Sequence, residues 1–145
     1  MQVTIIIEGY FKIASYLRNK YNLPMNKEMN PLNEMSFKRS ACPIACSLDI
    51  IGDKWTLLVV RDLFFGKTKF KELQESAENI PTNILANRLK QLEKAGMVVK
   101  TPYQDRPVRY QYHLTETGKS LESVVKAIVQ WGEQQFFNTS RSGAF

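Results

Sequence analysis

Hydrophobic patterning divides the chain into two regimes that meet near residue 41. Before that point, Tyr10–Tyr21 has a weak helical period, Leu23-Pro24 breaks it, and MNKEMNPLNEM is polar with a second proline. We read residues 1–35 as an N-terminal arm, poorly ordered or weakly helical, whose Met25, Met29 and Met35 are candidate alternative starts. From Cys42 the pattern sharpens. Cys42-Pro43 followed by IACSLDII predicts a helix with Pro43 at its first position, where the missing N–H is no loss. Ile44, Leu48 and Ile51 share one face, and Gly52 ends the element.

Asp53 is placed to cap the next helix, Lys54–Phe65, whose WTLLVV and LFF are apolar almost all round, as in a buried central helix. Gly66 stops it. Thr68-Lys69 predicts a short bridging strand, and Phe70–Ser76 a brief third helix with Phe70 and Leu73 inward. Glu78-Asn79-Ile80 predicts a turn, and Pro81 opens a fourth helix, TNILANRLKQLEKA, that Gly96 terminates. Two helices joined by a tight turn form a helix-turn-helix.

After Gly96 the period changes from 3.6 to 2. Met97–Pro102 and Val108–Leu114 read as strands, with QDRP as the tip between them. In the second strand Tyr110, Tyr112 and Leu114 alternate with Arg109, Gln111 and His113, which predicts one packed and one wet face. Thr115 then caps a long helix from Glu116 to about Phe137, striped by Leu121, Val124, Val125, Ile128 and Trp131. Residues 138–145 read as a flexible tail. Residues 36–137 are thus expected to form one domain, mainly α with a small β-hairpin wing (α+β): a winged helix-turn-helix.

Composition narrows the function classes. At 145 residues, 43% hydrophobic and 23% charged, the chain suits one ordinary globular domain. It has no apolar run long enough to span a membrane, and the opening MQVTIIIEGYF lacks a basic flank and a cleavage site. A cytoplasmic protein without membrane partners is expected. Two cysteines and one histidine are too few for a closed zinc site or a disulfide framework, so no metal or cofactor is expected and a reactive thiol remains. The net charge of +6 is unevenly spread: residues 82–113 hold six Lys/Arg against two Asp/Glu. Such a concentration is the electrostatic footprint of a phosphate-binding surface, the plainer alternative being a solvated helix face.

The blocks CPIACSLDIIGDKWTLLVVRDLFFGKTKF, IPTNILANRLKQLEKAGMV, RPVRYQYHLTETGKSL and WGEQQF together resemble the HxlR family of bacterial and archaeal regulators over roughly residues 36–137. The joint occurrence of IGDKWT, N-x-L-x-x-R-L-x-x-L-E and Y-x-L-T-x-x-G makes the resemblance specific. It implies a dimeric winged-helix transcription factor from a family in which many members respond to thiol-reactive or aldehyde stress. The arm before about Phe37 has no counterpart in the family pattern, and Cys46 is not a usual family position.

Candidate site residues emerge from the fourth helix viewed down its axis. Leu89 and Leu92 fall within about 40° of Leu85 at 100° per residue. The opposite face presents Asn83, Ala86, Asn87, Lys90 and Lys94. Asparagine bonds adenine bidentately and lysine reaches guanine or phosphate, so Thr82, Asn83 and Asn87 are assigned to bases and Lys90 to bases or phosphate. Arg88 falls inside the apolar sector and is read as a structural strut that pairs with Asp62 or Asp53, the alternative being a DNA reader. Arg106 and Arg109 near the wing tip suit a minor groove or its phosphates, against the alternative of a solvated turn. His113 is given no role. Trp55 and Trp131 are read as core or dimer packing.

Cys42 is the candidate redox-sensing residue. It precedes the first helix, where the dipole and the nearby Lys38 and Arg39 favour a thiolate, and it matches the sensor position of redox-responsive family members. An inert residue at a dimer edge is the alternative. Cys46, one turn on, is read as packing, with a resolving role left open.

Together these readings describe a homodimeric transcriptional regulator, repressing by expectation, that binds a pseudo-palindromic operator in double-stranded DNA. The first and last helices are expected to form the dimer, and thiol oxidation or a thiol-reactive small-molecule effector is expected to act at Cys42. Two alternatives stand against it. A thiol enzyme lacks a histidine base near Cys42, so no enzymatic activity is expected. The other is a winged-helix protein-interaction module without specific DNA binding, which the charge excess and the Asn/Lys face disfavour.

Overall fold

A computed structural model describes Leu32 and residues 42–137. Apart from Leu32, the arm and the tail lie outside these residues, as do Lys38 and Arg39. The chain divides into two units, residues 1–49 and 50–145. The described part of the first is Leu32, Cys42 and most of helix α1 (Pro43–Ile51), which Pro43 opens as expected. Within it the Cys46 N–H donates to the Cys42 carbonyl at 3.0 Å, and the Ser47 hydroxyl donates to the Pro43 carbonyl at 2.8 Å.

The second unit runs α2 (Thr56–Phe64), α3 (Phe70–Gln74), α4 (Thr82–Lys94), β1 (Val98–Asp105), β2 (Val108–Leu114), α5 (Glu116–Lys119) and α6 (Glu122–Gly132), closing on a π-helical turn at Glu133–Phe137. It is the expected winged helix-turn-helix, helical with one antiparallel hairpin. The core forms where α2 meets α4: Val59, Val60 and Leu63 bury against Leu85, Leu89 and Leu92, and Leu73 closes the gap from α3. These leucines recur every three or four residues along α4, so one stripe leaves water and the rest stays in it. Among the described residues no helix is long and apolar enough to cross a membrane.

Two acidic residues set where α2 begins and how the chain runs on from its end. The Asp53 carboxylate accepts from the backbone N–H of Trp55 at 2.8 Å and of Thr56 at 3.1 Å, and also from the Thr56 hydroxyl. This satisfies donors that a helix start leaves open, and it shifts the first helical residue from the expected Lys54 to Thr56. Asp62 is buried and ringed by donors: Arg61 at 2.8 Å, Lys67 at 3.5 Å and the Ser76 hydroxyl. Drawing Ser76 toward Asp62 ends α3 at Gln74, two residues short of the expected limit. Arg61 also grips Glu78 through both terminal nitrogens, at 2.7 and 2.9 Å, and holds the Glu78 carboxyl at about 2. The first half of the segment between α3 and α4 is thereby tied to α2 at two points, Ser76 and Glu78. Asn79 takes the left-handed φ of 51° that completes the turn, and Ile80 is buried beyond it.

Three other expectations change. The bridging strand reduces to a single pairing of Lys69 with Gln111, beside a 2.8 Å bond from the Tyr112 N–H to the Thr68 carbonyl. β1 runs past the expected limit at Pro102 to Asp105, because a bulge between Pro102 and Gln104 accommodates the proline on an edge strand. The Arg106–Pro107 bond in the tip is cis.

The long C-terminal helix is broken. Thr115 caps α5 by accepting from the Gly118 N–H at 3.2 Å, but the chain turns at Ser120 and Leu121 before α6 begins. Leu121 is buried, its N–H bonds the Gly118 carbonyl at 3.2 Å, and the Ser120 hydroxyl takes the Thr117 carbonyl at 2.6 Å. Docking Leu121 into the core therefore overrides helical continuity.

Gly118 is buried so close to the Met97 carbonyl that an added Cβ would overlap the oxygen. Gly118→Ala is therefore expected to destabilise the fold by at least about 1–3 kcal/mol, the usual cost of overpacking. Urea denaturation checks this, and an unchanged midpoint would mean that α5 is free to lift off the hairpin.

Candidate nucleic-acid interface

The helix-turn-helix presents the polar face of α4 outward. Thr82, Asn83, Asn87 and Lys90 are all exposed on it, while Leu85, Leu89 and Leu92 anchor the opposite side. Residues three and four apart stack on one side of a helix, so Asn83, Asn87 and Lys90 form a row with Lys94 beyond. Thr82 sits at the start of the helix, where its hydroxyl accepts from the Gln74 side chain of α3 at 2.6 Å. That bond joins the two helices of the motif.

Arg88 departs from this row and is only 23% exposed. It pairs with Asp53 at 3.3 Å and donates to Gln91 at 2.7 Å, and its Nε is buried without a hydrogen bond among the described residues. Of the two carboxylates anticipated for it, Asp53 is the partner, and Asp62 serves Arg61, Lys67 and Ser76. Partial burial pushes the Asp53 carboxyl up. The hydrogen bonds from the Thr56 hydroxyl and the Trp55 and Thr56 N–H groups, with Arg88 beside it, outweigh this and hold it below its ordinary value. The ionised carboxylate is therefore the form that spans α2 and α4.

The wing stands beside this helix with Arg106 and Arg109 exposed near its tip. Its two faces are less distinct than the alternation predicts. Tyr112 and Leu114 are half-buried, but Tyr110 lies beyond the body of the fold and is 39% exposed. Gln111, expected on the wet face, is half-buried because it pairs with Lys69. His113 is exposed, as expected. A groove of about 600 Å³ separates the start of α3 from the wing, with Lys69, Tyr103, Arg109 and Tyr110 among its lining residues. Lys69 and Lys100, which the sequence pattern did not single out, both lie over tyrosine rings of the hairpin. Period-2 alternation could have flagged Lys100. Lys69 meets a ring 34 positions away, and no local pattern encodes that.

Cys42 lies immediately before α1, and Cys46 one turn into it. Both are half-buried and neither forms a disulfide. Trp55 is half-buried, whereas Trp131 is 58% exposed and stacks edge-on to Phe136 at 5.6 Å.

Known proteins match this arrangement. Residues 50–140 match the HxlR-like helix-turn-helix family. An HTH-type transcriptional regulator of Mycobacterium tuberculosis, Rv3095, is 32% identical over 103 residues, which is 71% of this chain and 65% of that protein. The match therefore spans just under two thirds of that relative's length. Among solved structures, PA1607 is 44% identical with a TM-score of 0.63, covering 71% of each chain. The oxidised form of the redox regulator HypR is 34% identical with a TM-score of 0.60, covering 65% of this chain and 97% of its own.

The strut generates a prediction. Arg88→Met keeps the apolar stem but leaves Asp53 without its cation, and is expected to cost about 1–3 kcal/mol in urea denaturation. A loss below about 0.5 kcal/mol, typical of plain surface positions, would show that Arg88 does not brace α4.

Proposed function

The chain belongs to the HxlR-like helix-turn-helix family, and on that premise we propose that it is a DNA-binding transcriptional regulator that grips a pseudo-palindromic operator as a homodimer. The exposed row Asn83, Asn87 and Lys90 on α4 carries this reading, since its side chains match base edges of a major groove and nothing in the fold needs them outward. Thr82 contributes at the helix start. Arg106 and Arg109 extend the contact to the adjacent minor groove or its phosphates.

Dimerisation through α1 and α6 is supported by the apolar surface of the last helix. Val124, Ile128, Val129 and Trp131 are exposed, as are Phe136 and Phe137 beyond it. Contiguous apolar surface of this kind marks an interface. Repression is the proposed sign, by occupancy of the operator. Cys42 is the proposed switch: it stands at the start of α1, and HypR, a structural relative, is a redox regulator solved in its oxidised form. Electrophiles and oxidants are the effector class. A thiol enzyme finds no support, because the one histidine, His113, is on the wing.

Fragments recovered from a genomic pool test the reading as a whole. Salt-sensitive binding to a shared inverted repeat is expected. No enrichment, with salt-independent binding to any duplex, would favour a winged-helix protein-interaction module instead. On the enriched fragment, Asn87→Ala is expected to lose about 1–3 kcal/mol of discrimination at one base step while non-specific affinity holds. Equal loss of both would remove Asn87 from the base readers.

Diamide treatment tests the switch. Mass spectrometry is expected to find Cys42 modified before Cys46, with a matching change in gel-shift affinity that Cys42→Ser abolishes. If Cys42→Ser responds as wild type does, the sensor is elsewhere. If neither responds, the thiol has no switching role.

A further inference from the structure

The groove between the start of α3 and the wing is walled by rings: Phe70 from α3, Tyr103 from β1, and Tyr110 and Tyr112 from β2. It encloses about 600 Å³, the size of a small-molecule site rather than of a seat for a chain or a duplex. Tyr103 enters it as the residue that the β1 bulge leaves without a partner across the hairpin. The Lys69 ammonium lies 5.2 Å from the centroid of the Tyr103 ring, and the Lys100 ammonium 4.3 Å from that of Tyr110. Two of the rings are therefore braced before any ligand arrives.

The charges of the groove are three cations, Lys69, Lys71 and Arg109, against two carboxylates, Glu72 and Glu75. Glu72 accepts from the Lys69 and Thr68 backbone N–H groups at 3.0 and 2.9 Å. These bonds, with the Lys69 ammonium beside them, hold its carboxyl below the ordinary value. Lys69 and Glu72 thus answer each other, and Glu75 pairs with Lys71 at 3.7 Å. Burial, with Glu93 and Tyr110 nearby, pushes the Tyr112 phenol up, so it stays a neutral hydroxyl. Arg109 is left over. It is exposed and forms no salt bridge among the described residues.

Aromatic walls with one uncompensated guanidinium suit one kind of occupant. We propose that the groove is a reversible effector site for a small aromatic monocarboxylate, its ring among the tyrosines and its carboxylate on Arg109. A flat ring gains stacking and edge contacts with side chains already in place, and a guanidinium forks to both oxygens of a carboxylate. A cationic ligand would find both acids engaged, and a saturated acid would forgo the ring contacts. The effect on DNA rests on the reading above, in which Arg109 meets the duplex. One guanidinium does not serve a carboxylate in the groove and a phosphate outside it at once, so acid and duplex weaken each other. This site is separate from the covalent thiol chemistry proposed at Cys42.

The probe is naphthoate, titrated by calorimetry into the full chain without DNA. Saturable binding at one molecule per chain is expected, about tenfold tighter than for neutral naphthamide. The ring-saturated decalin carboxylate is expected to bind several-fold more weakly. Arg109→Gln is expected to abolish the preference for the acid while leaving naphthamide affinity unchanged. Tyr103→Ala and Tyr110→Ala, both at partly exposed positions, are expected to weaken acid and amide alike at unchanged Tm. No saturable binding by wild type, a preference that survives Arg109→Gln, or equal affinity for the saturated acid would overturn the site. On a duplex fragment that the chain enriches from a genomic pool, naphthoate is expected to lower duplex affinity by the factor by which the duplex lowers naphthoate affinity. Naphthoate that binds and leaves duplex affinity unchanged would overturn the effector role. If wild type binds no duplex, the regulator reading fails, and the calorimetry still decides the site by itself.

Discussion

The position of α4 along its own axis depends on one carboxylate. Asp53 closes the open N-terminus of α2 with three hydrogen bonds, and its second oxygen reaches Arg88 on α4 at 3.3 Å. The leucine stripe fixes how deep α4 sits but says little about sliding along its axis, since apolar contact is not directional. An ion pair with backbone-held geometry supplies that direction. Only the ionised form of Asp53 accepts all these bonds, and the surrounding donors keep it in that form.

Asp62 plays the complementary part for the turn. A buried charge is costly unless surrounded by donors, and here Arg61, Lys67 and Ser76 come from three places in the chain to meet it. The same Arg61 holds Glu78, so the path between α3 and α4 is drawn toward α2 by charge as well as by the burial of Ile80. The polar row on α4 faces outward because these two acidic centres and the leucines agree on its orientation.

Much of this was legible in the sequence, because the relevant signals are local. Proline at a helix start, Gly66 and Gly96 at helix ends with φ of 85° and 68°, and the change of period after Gly96 each mark a boundary within a few residues of its cause. The outward row on α4 was legible for the same reason, since it needs only the helical repeat and the leucines opposite. Features set by distant partners were not legible. The break at Ser120–Leu121 depends on Leu121 docking into a core built from other elements, and the choice of Asp53 over Asp62 for Arg88 depends on how α4 crosses α2. The half-burial of Gln111 depends on a single bridge to Lys69.

The interruption between α5 and α6 makes the last helix a lever on a short hinge. α6 has eleven residues, so it extends roughly 16 Å from Leu121. A tilt of about 4° at the hinge displaces its far end by on the order of 1 Å over that length. In a two-fold assembly built on this helix, such a tilt would be doubled between the two reading heads. The tolerance of such an assembly to the number of base pairs between half-sites would then be set at Ser120 and Leu121, outside the row proposed to meet DNA.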